Sequence, residues 1–521
     1  MSVLSINGLT HMYDSKVLFE DAELKINNGE HAGIVGLNGA GKSTFMNIIA
    51  GRVMQDAGEV KWLSGIRWGY LDQHATVDKS LSVMEYLKGA FDHLFSLNER
   101  LEKLYEDMSE VGDDMDRLDT LINRSAKMNE ELERSGFYDI EATIKKVANG
   151  LGIHIFGYDT LVGTLSGGQR AKLMLAKLLL EKLDVMLLDE PTNFLDIEHI
   201  DWLTKYLNEF EGTFLLVSHD TKFLNDTCKL IINVENGEIR RYSGNYNSFV
   251  EQHEMNSKQY AEAYERQQRE IKKMEEYIAK NKARAATAGM ANSRKKMLDR
   301  IDVMNKPVTF EDAEFSFPYV MLHTNDMLVV KDLKIGYERQ LLPPINIHMK
   351  SDTKLWIRGT NGIGKSTLIK TLLGIVPKLG GETHFHVNSK IGYLEQDLNF
   401  KDTDYTGITY LNEIFPKMGQ KECRNQLARV GIKKEMSTKP VSLLSGGEQV
   451  RIKLCVMMQR DSNILILDEP TNHLDVKAKD SLKESLKSYQ GAIILVSHEQ
   501  EFAEGLVTDV FDIEDAEFKY W

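Results

Sequence analysis

Two stretches of the chain, GLNGAGKST (36–44) and GTNGIGKST (359–367), have the pattern GxxxxGK[ST]. In such a loop the glycines let backbone N–H groups close around phosphates, and the helix that follows presents the positive end of its dipole. The pattern predicts that Lys42 and Lys365 reach the β- and γ-phosphates of a nucleotide and that Ser43 and Ser366 ligate Mg2+. The candidate nucleotide ligands are Gly36, Asn38, Gly39, Gly41, Lys42, Ser43 and Thr44, and in the second stretch Gly359, Asn361, Gly362, Gly364, Lys365, Ser366 and Thr367. Two apolar runs, VMLLDEPTN and ILILDEPTN, end in the acid pairs Asp189-Glu190 and Asp468-Glu469. The first acid of each pair suits a Mg2+ shell, and the second can polarise an attacking water. LSGGQ (165–169) and LSGGEQ (444–449) each lead into a helical run. Ser166, Gly167, Gly168 and Gln169, with Ser445, Gly446, Gly447 and Glu448, therefore form a second pair of anion cups. A second cup is redundant within one domain and useful when it closes over nucleotide held by another.

The elements that must position these groups are themselves repeated. The offset is 323 from Lys42 to Lys365 and from Gln73 to Gln396, and 279 from Ser166 to Ser445, Asp189 to Asp468 and His219 to His498. The drop of 44 means that the first copy carries about that many extra residues between its second and third motifs. Each copy reads as α/β, with a β-rich opening, an apolar strand, the glycine loop, a helix, and later buried parallel strands. The expected organisation is a first domain over 1–242, a linker over 243–326 and a second domain over 327–521.

Bulk properties narrow the class. The chain has 521 residues, enough for two or three domains, and a formal charge of −14. No run approaches the ~18–20 apolar residues that span a bilayer, and the N-terminus lacks a basic then apolar leader pattern. Cys228, Cys423 and Cys455 form no CxxC pair, which argues against disulfides, zinc ribbons and iron–sulfur clusters and for a reducing cytoplasm.

Two pieces lie outside the repeats. The insert at about 94–136 has one apolar stripe at Leu97, Leu101, Leu104 and Met108 and another at Leu118, Leu121, Met128 and Leu132, predicting a helical hairpin. Over 97–134 it carries twelve acids against six bases, which suits a basic protein surface better than phosphate. In the linker, His253, Tyr260, Tyr264, Ile271, Met274 and Ile278 recur at helical spacing, and Met297, Ile301 and Met304 continue it, predicting two antiparallel helices. Between them Lys280, Lys282, Arg284, Arg294, Lys295, Lys296 and Arg300 gather among small residues against one acid, Asp299. A cation cluster at a projecting end of an acidic chain predicts contact with RNA phosphates.

On its glycine loops, LSGG motifs and DEPTN strands the chain resembles the ATP-binding cassette superfamily over nearly all of its length apart from the linker. That resemblance implies ATP and Mg2+ as ligands and a head-to-tail sandwich within one chain, a monomer acting as an intramolecular pseudo-dimer. Ser166, Gly167 and Gly168 would face ATP on Lys365, and Ser445, Gly446 and Gly447 would face ATP on Lys42. Gln73 and Gln396 resemble the glutamines that meet Mg2+ and water, which makes Ser43, Gln73, Asp189, Ser366, Gln396 and Asp468 the implied metal set. Glu190, Glu469, His219 and His498, with those glutamines, are the implied catalytic residues. Tyr13 and Tyr337 resemble an adenine-stacking aromatic, with a strand-core tyrosine as the rival reading. Phe194 departs from the His473 of the second copy.

Two cassettes, an inserted arm and a charged hairpin between them resemble the ABC-F group of ribosome-associated ATPases, with no membrane domain and no DNA partner. Membership implies binding to the 70S ribosome at its E site, the linker reaching large-subunit rRNA and P-site tRNA and the arm meeting the stalk beside that site. A short linker and no coiled coil after the second cassette point to the housekeeping bacterial translation factors. An antibiotic-resistance member is the alternative, and a duplicated ATPase subunit of a membrane importer a lesser one.

Overall fold

The computed structural model describes residues 1–13, 16–36, 39–71, 77–110, 114–235, 237–281, 288–298, 300–301, 303–304, 313–337, 339–360, 362–396, 398–472, 474–515 and 517–520. Each repeat is built on two sheets. In the first, Lys16–Asn27, Ser2–Tyr13 and Ala57–Trp62 form an antiparallel sheet. A six-stranded sheet runs in the order Trp68–Leu71, Val185–Asp189, Thr213–Val217, His31–Val35, Leu230–Glu235, Glu238–Ser243. Its first five strands are parallel and the last is antiparallel.

The second repeat has the same order. Ile345–Met349, Leu328–Lys334 and Gly380–Phe385 make its small sheet. Its large sheet runs Ile391–Leu394, Ile464–Asp468, Ala492–Val496, Lys354–Arg358, Asp509–Asp512, Glu517–Tyr520. The central strands VMLLD, TFLLV, ILILD and AIILV are buried on both faces, which is why they read as continuous apolar runs instead of alternating ones. The α/β reading of the sequence is therefore correct, strand for strand in the two copies.

One glycine in each copy lets the small sheet close. Gly58 (φ +89°) and Gly381 (φ +81°) lie opposite irregularities in the pairing, and a Cβ there would sit 2.3 Å from the carbonyl oxygen of Gly8 or Asp332. Both conditions, left-handed backbone and backbone contact, exclude a side chain.

The insert forms the helices Asp92–Glu110 and Met115–Ser135, and Leu94, Leu101, Leu104 and Leu132 are buried along their seam. Leu94, Leu101 and Leu132 join the main core of the first repeat, which roots the arm.

In the linker, Tyr246–Asn281 is one helix of 36 residues, on the order of 54 Å at ~1.5 Å per residue. Its half-buried stripe passes through Ala261, Tyr264, Ile271, Met274 and Ile278, while Tyr260 is exposed, one residue off the expected face. The return helix is only Ala288–Leu298. Ile301 and Met304 lie beyond it. The N–H groups of Arg300 and Ile301 close tight turns on Met297 and Leu298, and Met304 N–H donates to Gln267 Oε1 at 2.8 Å.

The linker is keyed into both repeats. Phe249 packs edge-on against Tyr242 (5.0 Å) and stacks on His253 (5.4 Å), while Ala313 and Phe315 sit in the core of the second repeat. All three cysteines are free and buried, and burial pushes the Cys228 and Cys455 thiols up to about 12. Among the described residues no helix is long and apolar enough to cross a membrane.

The close glycine contacts set a first prediction. Gly58→Ala and Gly381→Ala should each destabilise the repeat that carries the change by about 2 kcal/mol, read as a shift in its calorimetric unfolding transition. A transition unmoved by either substitution would contradict the packing.

Candidate active sites

The strand His31–Val35 delivers the chain into its phosphate loop, and Gly41, at φ +103°, caps the helix Lys42–Ile49. Gly364 (φ +121°) does the same for Lys365–Leu372. Lys42 Nζ donates to the Gly36 carbonyl at 2.8 Å, and Lys365 Nζ to those of Gly359 (2.6 Å) and Thr360 (3.3 Å). Burial lowers the pKa of both lysines, and surrounding carboxylates oppose it. For Lys42 these are Glu190, Asp475 and Asp189; for Lys365 they include Glu469, Asp196 and Asp468. Asp475 belongs to the second repeat and Asp196 to the first. Each cation is thus opposed by an acid from the other copy.

The acid pairs emerge from the buried strands as the motifs predicted. Glu190 and Glu469 adopt φ of +49° and +52°, a strained region for glutamate. The strain is held by the next strand, because Glu190 N–H donates to Val217 O and Glu469 N–H to Val496 O, both at 2.9 Å. The turn aims each side chain at the following strand end. Glu190 Oε1 lies 3.3 Å from His219 Nε2, and Glu469 Oε2 lies 2.8 Å from His498 Nδ1. Burial, then the Asp189 charge, raise Glu190 to about 8. Burial works to lower His498, but the Glu469 carboxylate outweighs it and the net shift is upward.

Asp189 lies beside the Ser43 hydroxyl, and its Oδ2 accepts from Tyr70 OH at 3.5 Å. Asp468 lies beside Ser366, whose Oγ donates to Gln396 Oε1 at 3.1 Å. Burial pushes Asp468 up to about 6, and both of its oxygens are buried without a partner at full hydrogen-bond geometry. A dry carboxylate, a hydroxyl and an amide oxygen are hard oxygen donors, so this set fits Mg2+ completed by phosphate and water.

The LSGG motifs are helix N-caps. Ser166 Oγ accepts from Gln169 N–H (3.3 Å) while Ser166 N–H donates to Gln169 Oε1 (2.8 Å). At the other motif Ser445 N–H and Oγ both donate to Glu448 Oε2 at 2.9 Å. One capping side chain is neutral and the other anionic, so the two cups differ electrostatically. Gly168 faces Phe194: a Cβ on it would meet that ring at 3.2 Å. Phe194 therefore covers the LSGG glycine of its own repeat. In the second repeat Gly446, Gln396, Glu469 and Asn472 line a cavity of about 310 Å³.

Tyr13 and Tyr337 are exposed, which removes the core-tyrosine reading. Lys280, Arg294, Lys295, Lys296 and Arg300 are also exposed, and the Arg294 guanidinium lies 3.7 Å from the Tyr277 ring centre. Asn38, Gln73, Asn361, Lys282, Arg284 and His473 lie outside the described residues.

The sequence reading did not single out Asp196 and Asp475, although both end the repeated PTN[FH]LD stretch. Lys172 holds Asp196 at 3.2 Å and Arg451 pairs with Asp475.

Glycine loops, strand-end acid pairs and LSGG caps on this sheet order define a tandem ATP-binding cassette ATPase. A family model described as ABC transporter matches residues 19–193 and 342–472, and another with the same description matches 232–317. The chain is 41% identical over 514 residues to the uncharacterized ABC transporter ATP-binding protein YfmM of Bacillus subtilis (strain 168), covering 99% of each. It is 32% identical over 522 residues to ABC transporter F family member 2 of Arabidopsis thaliana, covering 99% of this chain and 77% of that one. Among solved structures, the fold is similar to the RNase-L Inhibitor (TM-score 0.56, 18% identity, 97% of this chain and 87% of that chain). It is also similar to the chain in a complex of archaeal ribosomal stalk protein aP1 and ribosome recycling factor aABCE1 (TM-score 0.57, 18%, 96% and 86%). The chain belongs to the ABC-F family, and it is an ATPase with two cassettes.

Replacing either strand-end glutamate, by Glu190→Gln or Glu469→Gln, should slow ATP turnover at its own cassette by about 10²-fold. Phosphate release by the double variant should fall by at least that factor, with ATP binding retained in equilibrium titration. Undiminished turnover in the double variant would remove both glutamates from the chemistry.

Proposed function

We propose that this ATPase binds the ribosomal E site in its ATP-closed form, reaches P-site tRNA and large-subunit rRNA with its linker, and leaves on hydrolysis. The observation that carries the reading is the exposed cluster Arg294, Lys295, Lys296 and Arg300 at the end of a 36-residue helix rooted in the first cassette. Lys280 stands beside it, and Lys282 and Arg284 belong to the same run of sequence. Such a cluster pairs with phosphate through charge and counterion release. The acidic arm then faces a basic protein surface, and the large-subunit stalk beside the E site is the partner of that kind. The similar aABCE1 chain is described as a ribosome recycling factor in complex with a ribosomal stalk protein.

In the closed form ATP lies between the cassettes. Tyr13 and Tyr337 stack the adenines, and the loop residues Gly36–Thr44 and Gly359–Thr367 hold the phosphates. Ser166–Gln169 completes the Lys365 site and Ser445–Glu448 the Lys42 site. Mg2+ would be held by Ser43, Gln73 and Asp189, and by Ser366, Gln396 and Asp468, and supplies charge neutralisation for the phosphates. Glu190 and Glu469 orient and polarise water, steadied by His219 and His498.

The hinge sequence, at about 283–291, is short and holds no apolar spike, which favours a housekeeping translation factor over drug displacement.

The test is co-sedimentation of the Glu190→Gln, Glu469→Gln chain with 70S ribosomes through sucrose. With ATP the chain should pellet with ribosomes, and changing Arg294, Lys295, Lys296 and Arg300 to Ala should lower the bound fraction by about tenfold. Absence of ATP-dependent pelleting, or pelleting indifferent to the four cations, contradicts the proposal.

A further inference from the structure

The two cassettes touch asymmetrically at one buried lysine. Lys479 lies in the helix Val476–Ser488 of the second cassette, and its side chain is 11% exposed. Its Nζ donates to Glu499 Oε1 at 2.7 Å within that cassette and to the main-chain carbonyl of His219 in the first at 3.3 Å. The His219 residue is thereby gripped from both sides. Its carbonyl accepts from Lys479, while its N–H donates to Glu190 Oε2 at 3.3 Å and its ring Nε2 lies 3.3 Å from Glu190 Oε1. Next along the chain, Asp220 caps the following helix by accepting from Phe223 N–H at 2.9 Å. Thr221 Oγ1 then reaches Glu501 Oε2 of the second cassette at 3.4 Å. The turn that carries His219 is therefore docked on the other cassette, and Lys479 supplies its charged contact.

This contact breaks the repeat. At the offset of 279 that relates the two histidines and the two glutamates, the counterpart of Lys479 is Ile200, a side chain with nothing to donate. The first cassette cannot reach the His498 carbonyl by the same bond. A lysine buried between two carboxylate-bearing turns is costly unless its bonds are made, so its geometry is well determined.

We propose that Lys479 is a positioning residue for hydrolysis at the Lys42 site. By fixing the His219 peptide it holds Glu190 at the angle needed to orient water, and only when the second cassette is docked. Closure of the cassettes thus completes the Lys42 site through a bond that the Lys365 site does not have. The two sites are unequal in this respect, although each carries the same glutamate and histidine.

The test compares Lys479→Met and Lys479→Arg in the full chain, each also combined with Glu469→Gln or Glu190→Gln. The Glu469→Gln background reports mainly on the Lys42 site. There Lys479→Met should lower kcat for ATP by about tenfold and leave KM within about twofold, since a lost orientation acts on the chemical step. In the Glu190→Gln background the loss should be at least about threefold smaller, because the group that Lys479 positions is already disabled. In the unsubstituted chain Lys479→Arg should retain at least about half of kcat, since a guanidinium can still donate to the His219 carbonyl. Equal losses in the two backgrounds, a change confined to KM, or an arginine variant no better than methionine would each overturn the assignment. Should the methionine variant not fold, Lys479→Gln takes its place under the same criteria.

Discussion

A buried ammonium group must be compensated, and in this chain the compensation comes from both halves of the molecule. Lys42 and Lys365 are each nearly excluded from solvent, and burial alone would drive them toward neutrality. Acids of the same cassette supply part of the opposing field, Glu190 and Asp189 in one case and Glu469 and Asp468 in the other. The other cassette adds to it, through Asp475 at Lys42 and Asp196 at Lys365. Asp196 and Asp475 are in turn fixed by Lys172 and Arg451. A single cassette would leave its phosphate-binding cation without the acid that the other supplies. The strained Glu190 and Glu469 arise within each cassette, where they leave a parallel strand at its end and turn at once toward the next.

The linker converts that interface into reach. Its long helix starts on the Tyr242, Phe249 and His253 stack of the first cassette, and its return enters the second through Ala313 and Phe315. Glu314 N–H further donates to Arg429 O at 2.7 Å. A change in the angle between the cassettes therefore acts on both roots of the hairpin and is amplified along a helix on the order of 54 Å. The cations stand at the far end of this lever, and the acidic arm is anchored independently in the first cassette's core.

Much of this was legible in the residues, for identifiable reasons. The strands VMLLD and ILILD are buried on both faces, so their composition alone marks them. The phosphate loops and LSGG caps need fixed residue types at fixed spacing, and a repeat doubles the signal. What the sequence hid depends on three-dimensional relation instead of composition. The positive φ of Glu190 and Glu469 is imposed by the carbonyls of Val217 and Val496, residues far away in the chain. Asp196 and Asp475 look like ordinary helix starts until the second cassette is in place. The spacing of Met297, Ile301 and Met304 suggested a longer return helix because periodicity cannot register the N–H bond that Met304 makes to Gln267.

The proposed ribosome binding requires the cassettes to act as a pair around ATP. The most direct measurement is small-angle X-ray scattering of the Glu190→Gln, Glu469→Gln chain, with nucleotide stoichiometry determined on the same sample. Two ATP bound per chain and a smaller radius of gyration than with ADP are expected. Two bound ATP with no change in the radius of gyration would contradict that pairing, leaving two cassettes that bind nucleotide independently.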